Sequence, residues 1–382
     1  LLLMRIISAH VLSICCIGPP SPSIDIHPRI SSYRSASMKA LHPVVIAGTP
    51  REIGRRLGEL ARPLMAAYRA QSRAWQALEA RLGEPLLPVW RREAEAMLPD
   101  CVAELDGLAE GLGLPAELVF AWNCRGELLN RSGDGCTTVA ARDASGCRIA
   151  HNEDGDPFLL DRCWLVEVRP TRGPGFLSFY YPGSLPGHTF ALNRAGLVQT
   201  INNVRITAPA AGVPRMVLAR AVLDTTSLDA ALALLRDTPL ASGFHHMLGC
   251  AGDTRIVSVE ASAARTSVTS VEARYGHANH LVHPGPNADA DAQIVTASSR
   301  DRQARLDALL PALAATDLDA LAGVLADRGG AGLPIFRDDP ADPDDENTLA
   351  TALFEIDRHG VDFSVRRDGM TGFALRVTRE AA

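Results

Sequence analysis

Residues 133–138 read GDGCTT, with Cys136 directly behind Gly135 and with Thr137 and Thr138 directly after it. A cysteine thiol is mostly protonated at neutral pH, so a cysteine that attacks a carbonyl needs a base. Two readings compete. In one, Cys136 is an ordinary buried thiol after a tight turn. In the other, the chain cuts its own Gly135–Cys136 bond by an N-to-S acyl shift and hydrolysis of the resulting thioester. The cut frees an α-amine on Cys136, and such an amine titrates at roughly 7.7–8.0. It can take the thiol proton near neutral pH from within the same residue. Gly135 lacks a Cβ and can hold strained backbone, which would expose its carbonyl to the sulfur.

Two further segments bear on the choice. HNEDGDP at 151–157 gathers acids and amides at the end of the strand that returns from Cys136. A hairpin would bring Asp154 back to the cysteine, where a carboxylate could orient the new ammonium and hold the thiol. The plainer reading is a polar turn ahead of Pro157. HANH at 277–280 sets Asn279 between histidines at an otherwise apolar strand end. A side-chain amide there is a good oxyanion donor. Alternatively His277 and His280 bind a metal with His245 or His246, although no acidic or cysteine ligand stands at a telling spacing.

The elements that must position these residues are legible as patterns. VVIAG at 44–48 reads as a strand. Pro50 then opens a helix with Ile53, Leu57, Leu60, Ala61 and Leu64 on one face. Further helices are expected over 72–83, 86–98 and 101–115, and residues 44–131 are mostly helical. The pattern switches at Cys136. CTTVAARD, a turn at ASG and CRIAHNED form a hairpin signature. Short strands follow, interrupted by helices at 214–224, 227–236, 300–313 and 316–327. RTSVTSVEA and HANHLVHP read as strands or their ends, and DDPADPDDEN at 338–347 as a solvated acidic loop. Tight turns predict antiparallel pairing. Two facing sheets with helices outside would bury every apolar face, an α+β architecture.

Composition narrows the classes. The 382 residues are 47% hydrophobic and 21% charged, with net charge -6. That balance gives no support for nucleic acid or a membrane as a partner. The eight cysteines have irregular spacing and no CxxC pair. They read as reduced thiols in a cytoplasmic protein. Residues 1–37 form an interrupted apolar run followed by PPSPS, expected to be a disordered extension.

GDGCTT, HNEDGDP and HANH together resemble the acyl-coenzyme A:isopenicillin N acyltransferase-like family of autoproteolytic N-terminal-nucleophile hydrolases. LAEGLGLPAELVFAWNCRGEL at 108–128, LNRAGLVQTINN at 192–203, SSRDRQARL at 298–306, and LADRGGAGLPIF followed by TLATALFEID resemble its other segments in order. The resemblance implies a four-layer αββα sandwich. It implies a helical precursor segment over 38–135 and a catalytic segment over 136–382, which stay associated as one structural domain. It assigns Cys136 as nucleophile, Gly135 as the residue before the cut, Asp154 as the carboxylate that holds the amine and Asn279 as the oxyanion amide. Arg302, Thr137 and one of Asn202 and Asn203 would support substrate or oxyanion, since adjacent strand residues face opposite ways. Relatives that hydrolyse bile-acid conjugates or ceramide carry an arginine shortly before the aspartate; this chain has Asn152 and Glu153 there. The implied substrate is a small acyl amide or thioester, with no metal or bound cofactor and coenzyme A at most an acyl donor. An uncleaved binding protein and a histidine-ligated metal hydrolase remain the alternatives.

Overall fold

The computed structural model describes residues 42–129, 134–284, 293–367 and 370–378. The extension expected over 1–37 lies outside them. The helical segment starts with strand β1 (Val44–Gly48) and continues through α1 (Pro50–Gln71), α2 (Arg73–Glu79), α3 (Leu87–Met97), α4 (Pro99–Leu112), α5 (Ala116–Asn123) and α6 (Arg125–Leu128). The strand-rich part begins with the hairpin β2 (Gly135–Asp143) and β3 (Gly146–Gly155), then β4 (Trp164–Pro170), β5 (Phe176–Tyr180), β6 (Phe190–Asn193) and β7 (Leu197–Val204). Helices α7 (Arg215–Val222) and α8 (Leu228–Asp237) precede β8 (Gly243–Cys250), β9 (Ile256–Ala261), β10 (Thr266–Ser270) and β11 (Arg274–His277). The chain ends with α9 (Ala297–Ala312), α10 (Leu318–Leu325), β12 (Asn347–Ile356), β13 (Gly360–Arg367) and β14 (Met370–Thr378).

Local chemistry explains the start of α1. Pro50 sits in the first turn, and the Thr49 N–H donates to Glu52 Oε2 at 2.8 Å, satisfying one orphan donor. The buried face of α1 carries Ile53, Leu57, Ala61, Met65 and Tyr68. It crosses α4 so closely that a Cβ on Gly54 would stand 1.8 Å from the Glu104 carbonyl oxygen, and one on Gly107 2.0 Å from that of Arg51. Only glycine fits at either place.

One sheet has eight strands in the order β1-β4-β5-β6-β7-β8-β9-β10, and the other six in the order β11-β2-β3-β12-β13-β14. The expected antiparallel pairing holds except at one edge, where β1 runs parallel to β4. The two faces of the six-stranded sheet do different jobs. Val139, Ala141, Ala150 and Leu353 pack outward against Leu306 and Leu310 of α9 and Leu321, Val324 and Leu325 of α10. Inward, Phe363 meets Phe190 of the larger sheet with ring centroids 6.3 Å apart, and Thr138 Oγ1 lies 3.2 Å from Thr200 Oγ1. The larger sheet is covered in turn on its outer side. Tyr180 donates to the Leu57 carbonyl of α1, while Ile201 and Phe244 pack on Met216 and Ala219 of α7. The layers are therefore helix, sheet, sheet, helix, the α+β sandwich expected.

Strand β11 stops at His277, so Ala278 to His283 form a loop instead of continuing the strand. The six described cysteines are buried, and Cys101, Cys124, Cys136, Cys147 and Cys163 are free thiols. No helix among the described residues is long and apolar enough to cross a membrane.

Gly107→Ala is expected to cost at least about 1–3 kcal/mol, because backbone and not a flexible side chain blocks the added methyl. The measurement is urea unfolding, with the midpoint falling at unchanged slope.

Candidate active site

The register of the β2–β3 hairpin sets the site. It pairs Gly135 with Asp154, Cys136 with Glu153, Thr137 with Asn152 and Thr138 with His151. Side chains alternate, so Cys136, Glu153, Thr138 and His151 share the face toward the other sheet. Thr137 and Asn152 point toward the outer helices, where Asn152 Nδ2 donates to the Leu325 carbonyl at 2.8 Å. The hairpin brings Asp154 opposite Gly135, with its side chain on the face away from the thiol. The carboxylate it places against the sulfur is that of Glu153, with Oε2 3.6 Å from Sγ. Asp154 instead accepts from Thr348 Oγ1 at 2.6 Å, and its other oxygen is buried without a hydrogen bond.

Two side chains, Asn279 and Arg302, fix the main chain of Cys136. Its N–H donates to Asn279 Oδ1 at 3.0 Å. Arg302, buried on α9, donates from Nη1 to the Cys136 carbonyl at 2.5 Å and to Thr137 Oγ1 at 2.9 Å. Its Nη2 reaches Asn279 Oδ1 at 2.6 Å, and its Nε donates to Ser298 Oγ at 3.1 Å. Asn279 in turn takes its place from Ser299 Oγ, which accepts its backbone N–H at 2.8 Å, and donates Nδ2 to the Asn203 carbonyl at 3.0 Å. The planar fork of one arginine thus ties α9, the HANH loop and the cysteine strand together.

The two adjacent asparagines have separate tasks. Asn202 is used inside the sandwich, accepting from Thr138 Oγ1 at 2.7 Å and from His245 Nδ1 at 2.8 Å while donating to the His277 carbonyl at 3.2 Å. Asn203 faces the chain ahead of the cysteine, with Nδ2 3.2 Å from the Asp134 carbonyl. Arg205 Nη2 donates to the same carbonyl at 3.3 Å.

Gly135 needs its missing Cβ for room. It lies in β2 and is not among the glycines with positive φ, so the expected strain is absent. A Cβ there would stand 2.4 Å from Glu346 Oε2. Glu346 is held by Arg337 Nη1 at 3.1 Å and Arg205 Nη2 at 3.4 Å. Burial pushes its carboxyl up to about 7, with those arginines pulling the other way. Asp342 also pairs with the buried Arg337. The stretch 338–347 is thus not simply a solvated loop, because two of its acids lie inside against arginines.

Electrostatics keep the thiol neutral. Burial pushes Cys136 well above its ordinary pKa, the carboxyls of Glu153 and Asp154 add to this, and Arg302 opposes it. Burial likewise raises Glu153 far above the usual carboxylate range and lowers His151 to about 3. Among the described residues, the thiol, imidazole and carboxylate atoms that lie within 4.8 Å of one another belong to Cys136, His151 and Glu153. Their closeness is that of a hydrogen-bonded chain: His151 Nε2 is 3.0 Å from Glu153 Oε2, and Tyr181 Oη donates to Glu153 Oε1 at 2.7 Å. The four histidines considered as metal ligands are not brought to one point. His245 and His277 stack with centroids 3.6 Å apart, His246 Nδ1 faces Gln199 Oε1 at 3.3 Å and His280 Nδ1 faces Ser299 Oγ at 2.7 Å.

Sequence reasoning gave no role to Glu153, His151, Tyr181, Arg205, Arg337 or Glu346. The first two stood in the HNED motif, and one residue of register decides that Glu153 and not Asp154 meets the sulfur. The others come from distant segments with no local signal.

Residues 142–369, more than half of the chain, match the family model described as acyl-coenzyme A:6-aminopenicillanic acid acyl-transferase. The matched stretch holds Asp154, Asn202, Asn203, Asn279 and Arg302 and begins after Cys136. A beta-alanyl-dopamine/carcinine hydrolase of Drosophila melanogaster is 28% identical over 160 residues, 36% of this chain and 41% of that protein. The chain therefore matches about two-fifths of that relative's length.

Arg302→Ala would leave its buried acceptors unpaired and is expected to lower stability by about 3 kcal/mol or more. Arg302→Lys keeps the charge but loses the fork, so it should recover only part of the loss. Urea unfolding of both variants beside the wild type measures the difference.

Proposed function

Since this chain belongs to the acyl-coenzyme A:6-aminopenicillanic acid acyltransferase family, we propose that it is a self-cleaving cysteine acyltransferase or amide hydrolase whose nucleophile is Cys136. The observation that carries the reading is the grip on both sides of one peptide bond. Asn279 and Arg302 hold the nitrogen and carbonyl of Cys136, while Asn203 and Arg205 hold the Asp134 carbonyl just ahead of it. An ordinary buried cysteine requires no such convergence. The Drosophila relative, a hydrolase named for beta-alanyl-dopamine and carcinine, supports a linear acyl amide as the substrate class.

The cycle follows from the groups present. Cutting at Gly135–Cys136 turns the nitrogen now on Asn279 Oδ1 into an α-amine, held beside its own thiol. The amine takes the thiol proton and the sulfur attacks the substrate carbonyl. Withdrawal of residues 134 and 135 takes the Asp134 carbonyl away from Asn203 Nδ2 and Arg205 Nη2, and these donors then turn to the oxygen that becomes negative. Asn279 and Arg302 keep the amine in place, and Asp154 balances the Arg302 charge from the helix side. The amine returns its proton to the leaving group. Water or an amine acceptor then resolves the thioester. No metal or resident cofactor enters the cycle, and a coenzyme A thioester would serve as acyl donor.

The test is the denatured intact mass of freshly made protein beside Cys136→Ala. Two chains in the wild type, one beginning at Cys136, and a single chain in the variant are expected; a single chain in both overturns the mechanism. In the cut protein, Asn203→Ala should lower kcat on short acyl amides by roughly 10²–10³ with little change in KM.

A further inference from the structure

The uncut chain has a difficulty that the mature cycle does not. Before cleavage the nitrogen of Cys136 is an amide, and it already donates to Asn279 Oδ1. It cannot take a proton from the thiol. The step that creates the amine base must therefore use another acceptor. Among the described groups, the one in hydrogen-bond contact with the sulfur is Glu153, its cross-strand partner.

The proton positions around Glu153 follow from the bonds themselves. Asn202 Nδ2 donates to the His277 carbonyl, so Oδ1 of that amide is an acceptor. Thr138 lies 2.7 Å from this Oδ1, and its single hydroxyl proton is spent there. The 2.8 Å contact between Thr138 Oγ1 and His151 Nδ1 must then be donated by the ring, so Nδ1 carries the proton. His151 is neutral, since burial holds it at about 3, and Nε2 is therefore a bare lone pair. Nε2 meets Glu153 Oε2 at 3.0 Å, so the proton in that contact belongs to the carboxyl group. Tyr181 donates to the other oxygen and fixes which one faces the ring. The result is a directed chain: thiol, carboxylic acid, open imidazole nitrogen.

We propose that Glu153 and His151 together are the proton acceptor for Cys136 during self-cleavage, a catalytic role in maturation separate from that of the α-amine afterwards. This rests on the self-cleavage reading above. As Sγ forms its bond to the Gly135 carbonyl carbon, the thiol proton passes to Glu153 Oε2 and the proton of Glu153 passes to His151 Nε2. The tetrahedral centre then collapses with loss of the carbon–nitrogen bond, and one proton returns along the same chain to the departing nitrogen of Cys136. The products are a thioester and a neutral amine, with Glu153 and His151 restored. Water then hydrolyses the thioester, giving the Gly135 carboxylate and the thiol, and the amine takes the proton released. Every proton is accounted for, and the net charge of the buried site stays constant, because the imidazolium and the oxyanion form and vanish together.

Glu153→Gln keeps the shape but cannot accept a proton at that oxygen. Self-cleavage can be followed on gels after pulse-labelled translation, with the chase buffered from pH 6 to 9. The groups that face Glu153 are Cys136, His151 and Tyr181 in contact, with Asp134 and Asp154 acting at longer range. The variant is expected to be cut roughly 10²–10⁴-fold more slowly than wild type. Its rate should also climb about tenfold per pH unit, because hydroxide must then ionise the thiol, while the wild-type profile is flatter. A merely structural role would not impose that slope. His151→Gln opens the chain at its far end and supplies the same test if Glu153→Gln does not fold. Variants cut at the wild-type rate with the wild-type pH profile would overturn the proposal and leave self-cleavage standing. A wild-type chain that stays whole would overturn both.

Discussion

One register, the pairing of β2 with β3, governs the chemistry available here. It sets Cys136 opposite Glu153 and Gly135 opposite Asp154. Because strand side chains alternate, a slip of one residue would exchange the two carboxylates. Asp154 would then meet the sulfur, and Glu153 would face the helices. The register is held from both sides of the sheet. On one face Val139, Ala141 and Ala150 pack under α9 and α10; on the other, Thr138 bonds across to Asn202 and to His151 on the neighbouring strand. Apolar burial on one face and hydrogen-bond satisfaction on the other agree on a single alignment.

Charge is concentrated beneath the same strand. Arg302, Arg337, Asp154 and Glu346 are all buried within a short reach of Gly135 and Cys136. Burying ions is costly unless they are paired and hydrogen-bonded. Here each arginine spends its donors on several acceptors from separate segments, and each acid has an arginine near it. Such a network adds little to stability against an apolar core of equal volume. It does specify geometry, because the guanidinium fork of Arg302 accepts only a narrow placement of Asn279 and the Cys136 carbonyl.

Much of this was legible in the chain. Helical spacing located α1, the β-branched run after Cys136 located the hairpin, and tight turns implied antiparallel sheets with helices outside. The GDGCTT, HNEDGDP and HANH motifs contain the cysteine, both carboxylates and Asn279. What stayed hidden needs three dimensions. The choice between Asn202 and Asn203 depends on which face of β7 looks at residue 134. Arg337 and Glu346 read as loop residues because the partners that bury them lie across the fold. The histidines of HANH, with His245 and His246, suggest metal chemistry by type. In space His245 and His277 stack flat on each other, and Glu260 Oε1 lies 3.1 Å from His277 Nε2. The parallel pairing of β1 could not be inferred from turn spacing, since no turn joins it to β4.

That last strand has a consequence for solubility. Among the described residues, the five of β1 cover the outer edge of β4, and they come from the helical segment, not from the strand-rich one. An uncovered strand edge offers a row of unpaired N–H and C=O groups to any passing chain. β1 presents a shorter edge in its place. A shortened protein beginning after residue 48 would lose β1 from the larger sheet and leave the backbone groups along the outer edge of β4 open to pairing with another chain.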